Sequence, residues 1–301
     1  MKSIVILGGG TGGTIMAARL RRALEPEEWR ITVVDRDDRH LYQPGLLFIP
    51  FGLYARRDLY RPRRRYIPPG VELVLGELEA VEPELNRVRL HDGRRLLYDL
   101  LIVATGSRIV PEETEGLTGE GWRESAFDFY TPDGAFALAA ALRGFRGGRL
   151  VIDTVDMPIK CPVAPLEFAF LADWHLARQG VREGTEIVYA TPLDGAFTKK
   201  RCSDALAGLL ASRNIRVETQ FNAASVDGGA RTLRAYDGRA IEYDLLVSIP
   251  LHRGSAAVGR SGMGDAMDFI PTDRHTLRSR EWENVFVIGD ATDLPASKAG
   301  S

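Results

Sequence analysis

A thiol six residues ahead of a carboxyl, fenced by three prolines, stands out for its chemistry: Cys161 and Glu167 in PIKCPVAPLEFAF, residues 158–170. A thiolate is a nucleophile and a redox group, and a carboxyl nearby can carry the proton that its reaction moves. LVID at 150–153 reads as a buried strand, and a helix is predicted from near Pro165, because proline suits a first helical turn. Cys161 therefore precedes a helix N-terminus, with Lys160 beside it. Dipole and ammonium both favour the thiolate and lower the thiol pKa from its ordinary value of about 8.5. A small buried hydrophobe is the other role of such a cysteine, and these residues alone leave the two open. Cys202, in KKRCSDALAGLLASRN, falls in a predicted helix and reads as packing or surface.

The elements that must hold such a site begin at the N-terminus. IVIL at 4–7 reads as a buried strand, GGGTGG at 8–13 follows, and TIMAARLRRAL continues with helical spacing. Gly8, Gly10 and Gly13 satisfy GxGxxG. The first permits a tight turn, the second lets a pyrophosphate reach the backbone, and the third brings the helix onto the sheet, so the helix N-terminus faces the phosphates with Thr11 among the binding residues. WRITVVD then ends at Asp35, where a carboxylate would accept from a ribose hydroxyl. Strand, loop, helix, strand and acid together point to a dinucleotide.

The chain repeats itself. RLHDGRRLLYDLLIV (89–103) recurs as RAYDGRAIEYDLLVS (234–248), with Asp92 and Asp237, and Tyr98 and Tyr243, each pair 145 residues apart. The expected fold is α/β, with two tandem Rossmann-like, doubly wound domains, the second inserted in the first. Expected boundaries are 1–110 and 249–301 for the first domain and 111–248 for the second. At the place of a second phosphate loop stands DTVDMP (153–158), without a glycine. Asp153 and Asp156 are expected to oppose a pyrophosphate there, which argues against NAD(P)H as electron donor.

LLYDLLIVATGS (96–107) reads as a strand ending at Ala104, Thr105 and Gly106, and NVFVIGDATD (284–293) as another ending at Gly289 and Asp290. These resemble the ATG and GD fingerprints of the two-dinucleotide-domain flavoproteins, over nearly the whole chain. The resemblance implies FAD as cofactor, Asp290 on its ribityl chain, and the backbone around Leu78 in GELEAVEP beside its adenine. KCPVAPLE resembles the motif around a redox cysteine in the sulfide:quinone oxidoreductase family, glutamate included. In that family a cysteine pair above the flavin takes up sulfide as a persulfide, two electrons pass to FAD, and the flavin reduces a membrane quinone. The resemblance implies Cys161 as the sulfur-binding nucleophile, Glu167 as proton carrier, and sulfide and a quinone as partners. Lys298 resembles the start of the helix whose N-terminus faces the flavin's pyrimidine end. The partner cysteine, the quinone pocket and a peripheral membrane contact are expected in sequence beyond Ser301, and a homo-oligomer is open. The cysteine patterns of the disulfide reductases and coenzyme A disulfide reductases are missing from residues 36–60. Three readings stand beside the first: a type II NAD(P)H:quinone oxidoreductase, a flavocytochrome c sulfide dehydrogenase subunit, and an FAD-binding redox sensor or remnant without turnover.

A net charge of -2 across 301 residues gives no global attraction for nucleic acid. The expected location is the cytoplasm, peripheral on the inner face of the membrane if a quinone is reached. The histidines show no metal-ligand spacing. YARRDLYRPRRRY (54–66), with six arginines, is predicted as a solvated face or excursion, and YQPGLLFIPFG (42–52) as either core or cofactor lining.

Overall fold

The computed structural model describes residues 1–295 and Lys298. The chain forms two compact units, Met1–Leu41 with Tyr60–Arg108 and His252–Ser301, and Tyr42–Leu59 with Ile109–Leu251.

In the first unit five parallel strands lie in the order Val285–Val287, Leu100–Val103, Lys2–Leu7, Trp29–Asp35, Glu72–Leu75. IVIL is continuously apolar because both faces of its strand are covered. Val5 and Leu7 join one cluster with Val34, Leu101 and Val287, while Ile4 and Ile6 join another with Ala17, Ile31 and Val33. Register brings Leu7 beside Val34 and Val103, and Asp35 beside Leu75. All five carboxyl ends therefore share one edge, and strand order reverses at Lys2–Leu7, where a parallel sheet opens its ligand crevice.

The second unit repeats the plan with Ala126–Phe127, Leu245–Ile249, Gly148–Thr154, Thr185–Ala190 and Ile215–Glu218, again parallel. Each unit also carries a three-stranded antiparallel sheet, Leu78–Glu82, Arg87–Leu90 and Arg95–Leu97 in the first, Ala223–Asp227, Thr232–Ala235 and Ala240–Glu242 in the second. The shared motif has a local cause. In DGR the aspartate Oδ1 accepts from the arginine N–H two residues on, at 3.0 Å in both copies, across glycines at φ +86° and +88°, a turn that glycine makes without steric cost. In YD the aspartate clasps the opening strand both ways. Asp99 exchanges bonds with Ser3 at 2.6 and 2.8 Å, and Asp244 with Arg149 at 2.7 and 2.9 Å.

The helix Ala164–Gln179 buries Leu166, Phe168, Ala169, Ala172 and Leu176 and ends at Gly180, φ +74°. Phe168 stacks on Phe129 with ring centroids 4.9 Å apart and meets Phe51 at 5.0 Å. Complete burial of such a ring contributes about 1.5–3 kcal/mol. YQPGLLFIPFG thus supplies core to the second unit, with Leu46, Leu47, Ile49 and Phe51 all buried. Among the described residues no helix is long and apolar enough to cross a membrane.

Candidate functional site

The glycine turn sits at the carboxyl end of Lys2–Leu7. Gly8 has φ +96°, and a Cβ there would stand 2.4 Å from the Ala104 carbonyl oxygen. A Cβ on Gly13 would fall 1.8 Å from the Gly8 oxygen, whereas one on Gly10 would meet nothing within 4 Å. Two glycines are thus demanded by packing, and the third leaves room beside the backbone. The helix Thr11–Ala23 starts with no side-chain cap and no acid in its first turn, so its positive end is left for an anion. A Cβ on Gly12 would make ordinary contact with Ile288 at 3.5 Å, so the Gly289–Ala291 turn lies against this loop, with Gly289 at φ +65°.

The neighbouring strand end brings Thr105 and Gly106 to the same edge. The Thr105 hydroxyl is buried without a hydrogen-bond partner among the described residues, and an orphaned polar atom beside a phosphate-type loop suits a ligand. Leu78 opens its strand two residues after Gly76, whose N–H donates to the Asp35 carbonyl at 2.9 Å. Asp35 Oδ2 accepts from the Gly9 N–H at 2.7 Å. Residues 8–13, 35, 104–106 and 289–290 therefore share one edge, with Leu78 following two residues after Gly76, and an open glycine, an uncapped helix and an unspent hydroxyl fit a dinucleotide. A Thr105→Val variant is expected to weaken FAD binding several-fold, about 1 kcal/mol, while leaving apoprotein stability equal or higher. Flavin titration and thermal melts of the apoprotein read the two signs.

Lys298 is buried, donates to the carbonyls of Thr292 at 2.6 Å and Asp290 at 3.4 Å, and lies over the Phe269 ring. Burial depresses its pKa, against the pull of Asp290 and Asp293. Its amine braces the Gly289–Asp293 turn; the helix expected to start there lies outside the described residues.

In the second unit Cys161 is partly buried and has φ +52°, the left-handed region. Its carbonyl accepts from the Ala164 N–H at 2.9 Å and from the Tyr130 hydroxyl at 3.4 Å. The helix begins one residue ahead of Pro165, so the thiol-bearing residue stands at its entrance, three residues before Ala164. Tyr130 is itself placed by buried Asp128, whose Oδ1 accepts its N–H at 2.9 Å. Burial first, then proximity to Cys161, Tyr189 and Glu167, raises the phenol's pKa well above the usual value. Glu167 lies in the helix's first turn, exposed as a residue, and partial desolvation raises its carboxyl pKa, which suits a group that both takes and gives a proton. Cys202 is exposed on the helix Lys200–Ser212.

Two sequence expectations are corrected. Asp153 does not oppose a ligand: it is the penultimate residue of Gly148–Thr154, fully buried, 3.4 Å from the Ser248 hydroxyl, and desolvation pushes its pKa up to about 8. Asp156 alone keeps a place in the following loop, its Oδ1 accepting from the Met157 N–H. The arginine run is not uniformly solvated either. Arg63 is buried at 5% exposure and pairs with Asp35 at 2.8 Å. A cue lay in the sequence: Asp35, Asp37 and Asp38 crowd one strand end and call for a cation.

The family description "Pyridine nucleotide-disulphide oxidoreductase" matches residues 2–144. The mitochondrial sulfide:quinone oxidoreductase of Mus musculus is 28% identical over 305 residues, covering 99% of this chain and 67% of its own length. A type II NADH:quinone oxidoreductase of Mycobacterium tuberculosis is 33% identical over 332 residues, covering 97% of this chain and 66% of its own length. The crystal structure of the sulfide:quinone oxidoreductase from Aquifex aeolicus superposes with a TM-score of 0.86 at 20% identity, over 98% of this chain and 70% of that one. The chain thus spans about two thirds of the length of these relatives. The likenesses agree with the doubly wound units and the flavin-type crevice: over nearly its whole length the chain is similar to flavin-dependent oxidoreductases of the sulfide:quinone type.

Proposed function

We propose that the protein oxidises sulfide by two electrons, holds the sulfur on Cys161 as a persulfide, and delivers the electrons through FAD to a quinone. The observation that carries this reading is Cys161 itself, partly accessible in a left-handed turn at a helix entrance, where a second phosphate loop would otherwise stand. The Cys161 thiolate and a hydrosulfide ion together lose two electrons and one proton as the sulfur–sulfur bond forms. Bound FAD supplies the two-electron acceptor, and the quinone takes two electrons and two protons to become the quinol. Glu167, its pKa raised by partial burial, carries the proton released at sulfur. The residues proposed to hold FAD are Gly8, Gly10, Thr11, Gly13, Asp35, Leu78, Ala104, Thr105, Gly106, Gly289, Asp290 and Lys298.

A second reading, NADH:quinone oxidoreduction, is favoured by the 33% identity to the mycobacterial relative. Anaerobic addition of sulfide is expected to bleach the oxidised flavin stoichiometrically, and NADH to leave it unchanged. Bleaching by NADH with no response to sulfide would replace the first reading with the second.

A further inference from the structure

The guanidinium of Arg63 is nearly removed from water, its side chain 7% exposed. Its Nε donates to the Asp37 carbonyl at 2.9 Å and Nη2 to the Arg39 carbonyl at 2.7 Å. Its Nη1 donates to the Gly9 carbonyl and pairs with Asp35 Oδ2 at 2.8 Å, while Nη2 lies 3.6 Å from Asp37 Oδ1. Each nitrogen of the guanidinium thus donates to a backbone carbonyl, and two carboxylates offset the cost of burying the charge. Lysine, with three donors on a point charge, cannot span these acceptors.

The position of this group is more telling than its stability. Gly9 belongs to the glycine loop, and Asp35 is the acid at the end of the second strand. The Gly9 N–H donates to Asp35 Oδ2 while the Gly9 carbonyl accepts from Arg63, so loop, acid and arginine close a ring. The Gly9 carbonyl has a second neighbour, His40 Nδ1 at 3.2 Å. A carbonyl cannot donate, so Nδ1 carries the proton; desolvation is the largest influence on the ring and keeps its pKa below the ordinary histidine value. Position 9 is a free choice in GxGxxG, yet a Cβ there would stand 2.7 Å from Arg63 Cδ. Gly9, the middle one of three consecutive glycines, is the one that admits the arginine.

Asp35 has room left for a ligand. Oδ2 accepts from the Gly9 N–H and pairs with Arg63, and Oδ1 accepts from the Arg36 N–H at 2.8 Å, which leaves part of a carboxylate's roughly four lone-pair positions open. One remains on Oδ1, enough for a hydroxyl.

We propose that Arg63 is a positioning residue for the adenosine diphosphate half of FAD, fixing the Gly9 turn and the Asp35 carboxylate in one geometry before the cofactor arrives. This rests on the reading of residues 8–13 and Asp35 as that half's binding place. The test is calorimetric titration of the deflavinated full chain with FAD, with ADP and with FMN. In Arg63→Gln, affinity for FAD and for ADP is expected to fall by the same factor, roughly 10- to 100-fold, the scale of a lost charge-assisted bond. FMN binding is expected to be unchanged, Arg63→Lys not to rescue, and Arg64→Gln, on the exposed Asp38 pair, to behave as the parent. Gly9→Ala, which pushes on Cδ without removing the charge, is expected to give the same matched loss and serves if Arg63→Gln does not fold. A lower melting temperature with ADP affinity intact would make Arg63 merely structural and overturn the proposal. Loss of ADP affinity in Asp35→Asn but not in Arg63→Gln overturns the proposal and keeps the site; loss in neither overturns the site and the proposal together.

Discussion

Replacing Cys161 with serine is expected to slow sulfide-dependent bleaching of the flavin by about a thousandfold or more, the scale on which removal of a nucleophile is felt, with FAD content unchanged. A serine hydroxyl is almost entirely protonated at neutral pH and cannot form a persulfide, so no sulfur is captured and no electron pair is released. Content should hold because Cys161 and the glycine loop belong to different units. The backbone is not the variable: serine meets the same φ of +52° as cysteine, and the Cys161 carbonyl keeps both of its donors. Anaerobic stopped-flow absorbance reads the rate, and alkylation of the parent by iodoacetamide should reproduce the loss. Equal bleaching in parent and variant would remove Cys161 from the chemistry.

Asp153→Asn is expected to stabilise the protein increasingly as pH rises. Burial pushes the folded carboxyl's pKa up from an ordinary 3.8 to about 8. Between those values the folded state keeps a proton that the unfolded chain has released, so the parent loses stability as pH climbs through that window and no more above it. Asparagine keeps the shape and has no proton to lose. The variant should gain on the parent by on the order of 3 kcal/mol between pH 5 and pH 7.5, at about 1.36 kcal/mol per unit. Urea midpoints at the two pH values measure it. Parallel pH dependence in parent and variant would mean that Asp153 ionises freely where it sits.

Much of the fold could be read from residue order because the signals were local. GxGxxG, the strand before it and Asp35 report a unit whose parts lie within 35 residues, and the DGR and YD turns announce the repeat because each is made by its own side chain. What escaped was decided by contacts distant in sequence. Asp153, at the end of a strand legible in the sequence, was expected to face a pyrophosphate because only pairing with Leu245–Ile249 and Thr185–Ala190 shows it to be central and dry. Arg63 was one arginine among six, and only the return of the chain after residue 59 sets it against Gly9, 54 residues away. The cysteine motif was visible, whereas its left-handed turn and the buried phenol on its carbonyl belong to the folded second unit.

The order in which the first sheet is assembled imposes a timetable on synthesis. Leu100–Val103 pairs with Lys2–Leu7 on one side, but its other neighbour, Val285–Val287, is encoded after the whole second unit. At 5–20 residues per second, that edge waits roughly 10–40 s on the ribosome. An unpaired apolar edge is a template for wrong partners. The Gly289–Asp290 turn comes later still, so the crevice is whole only after the residues of both units have been made, and cofactor capture follows their synthesis rather than seeding it.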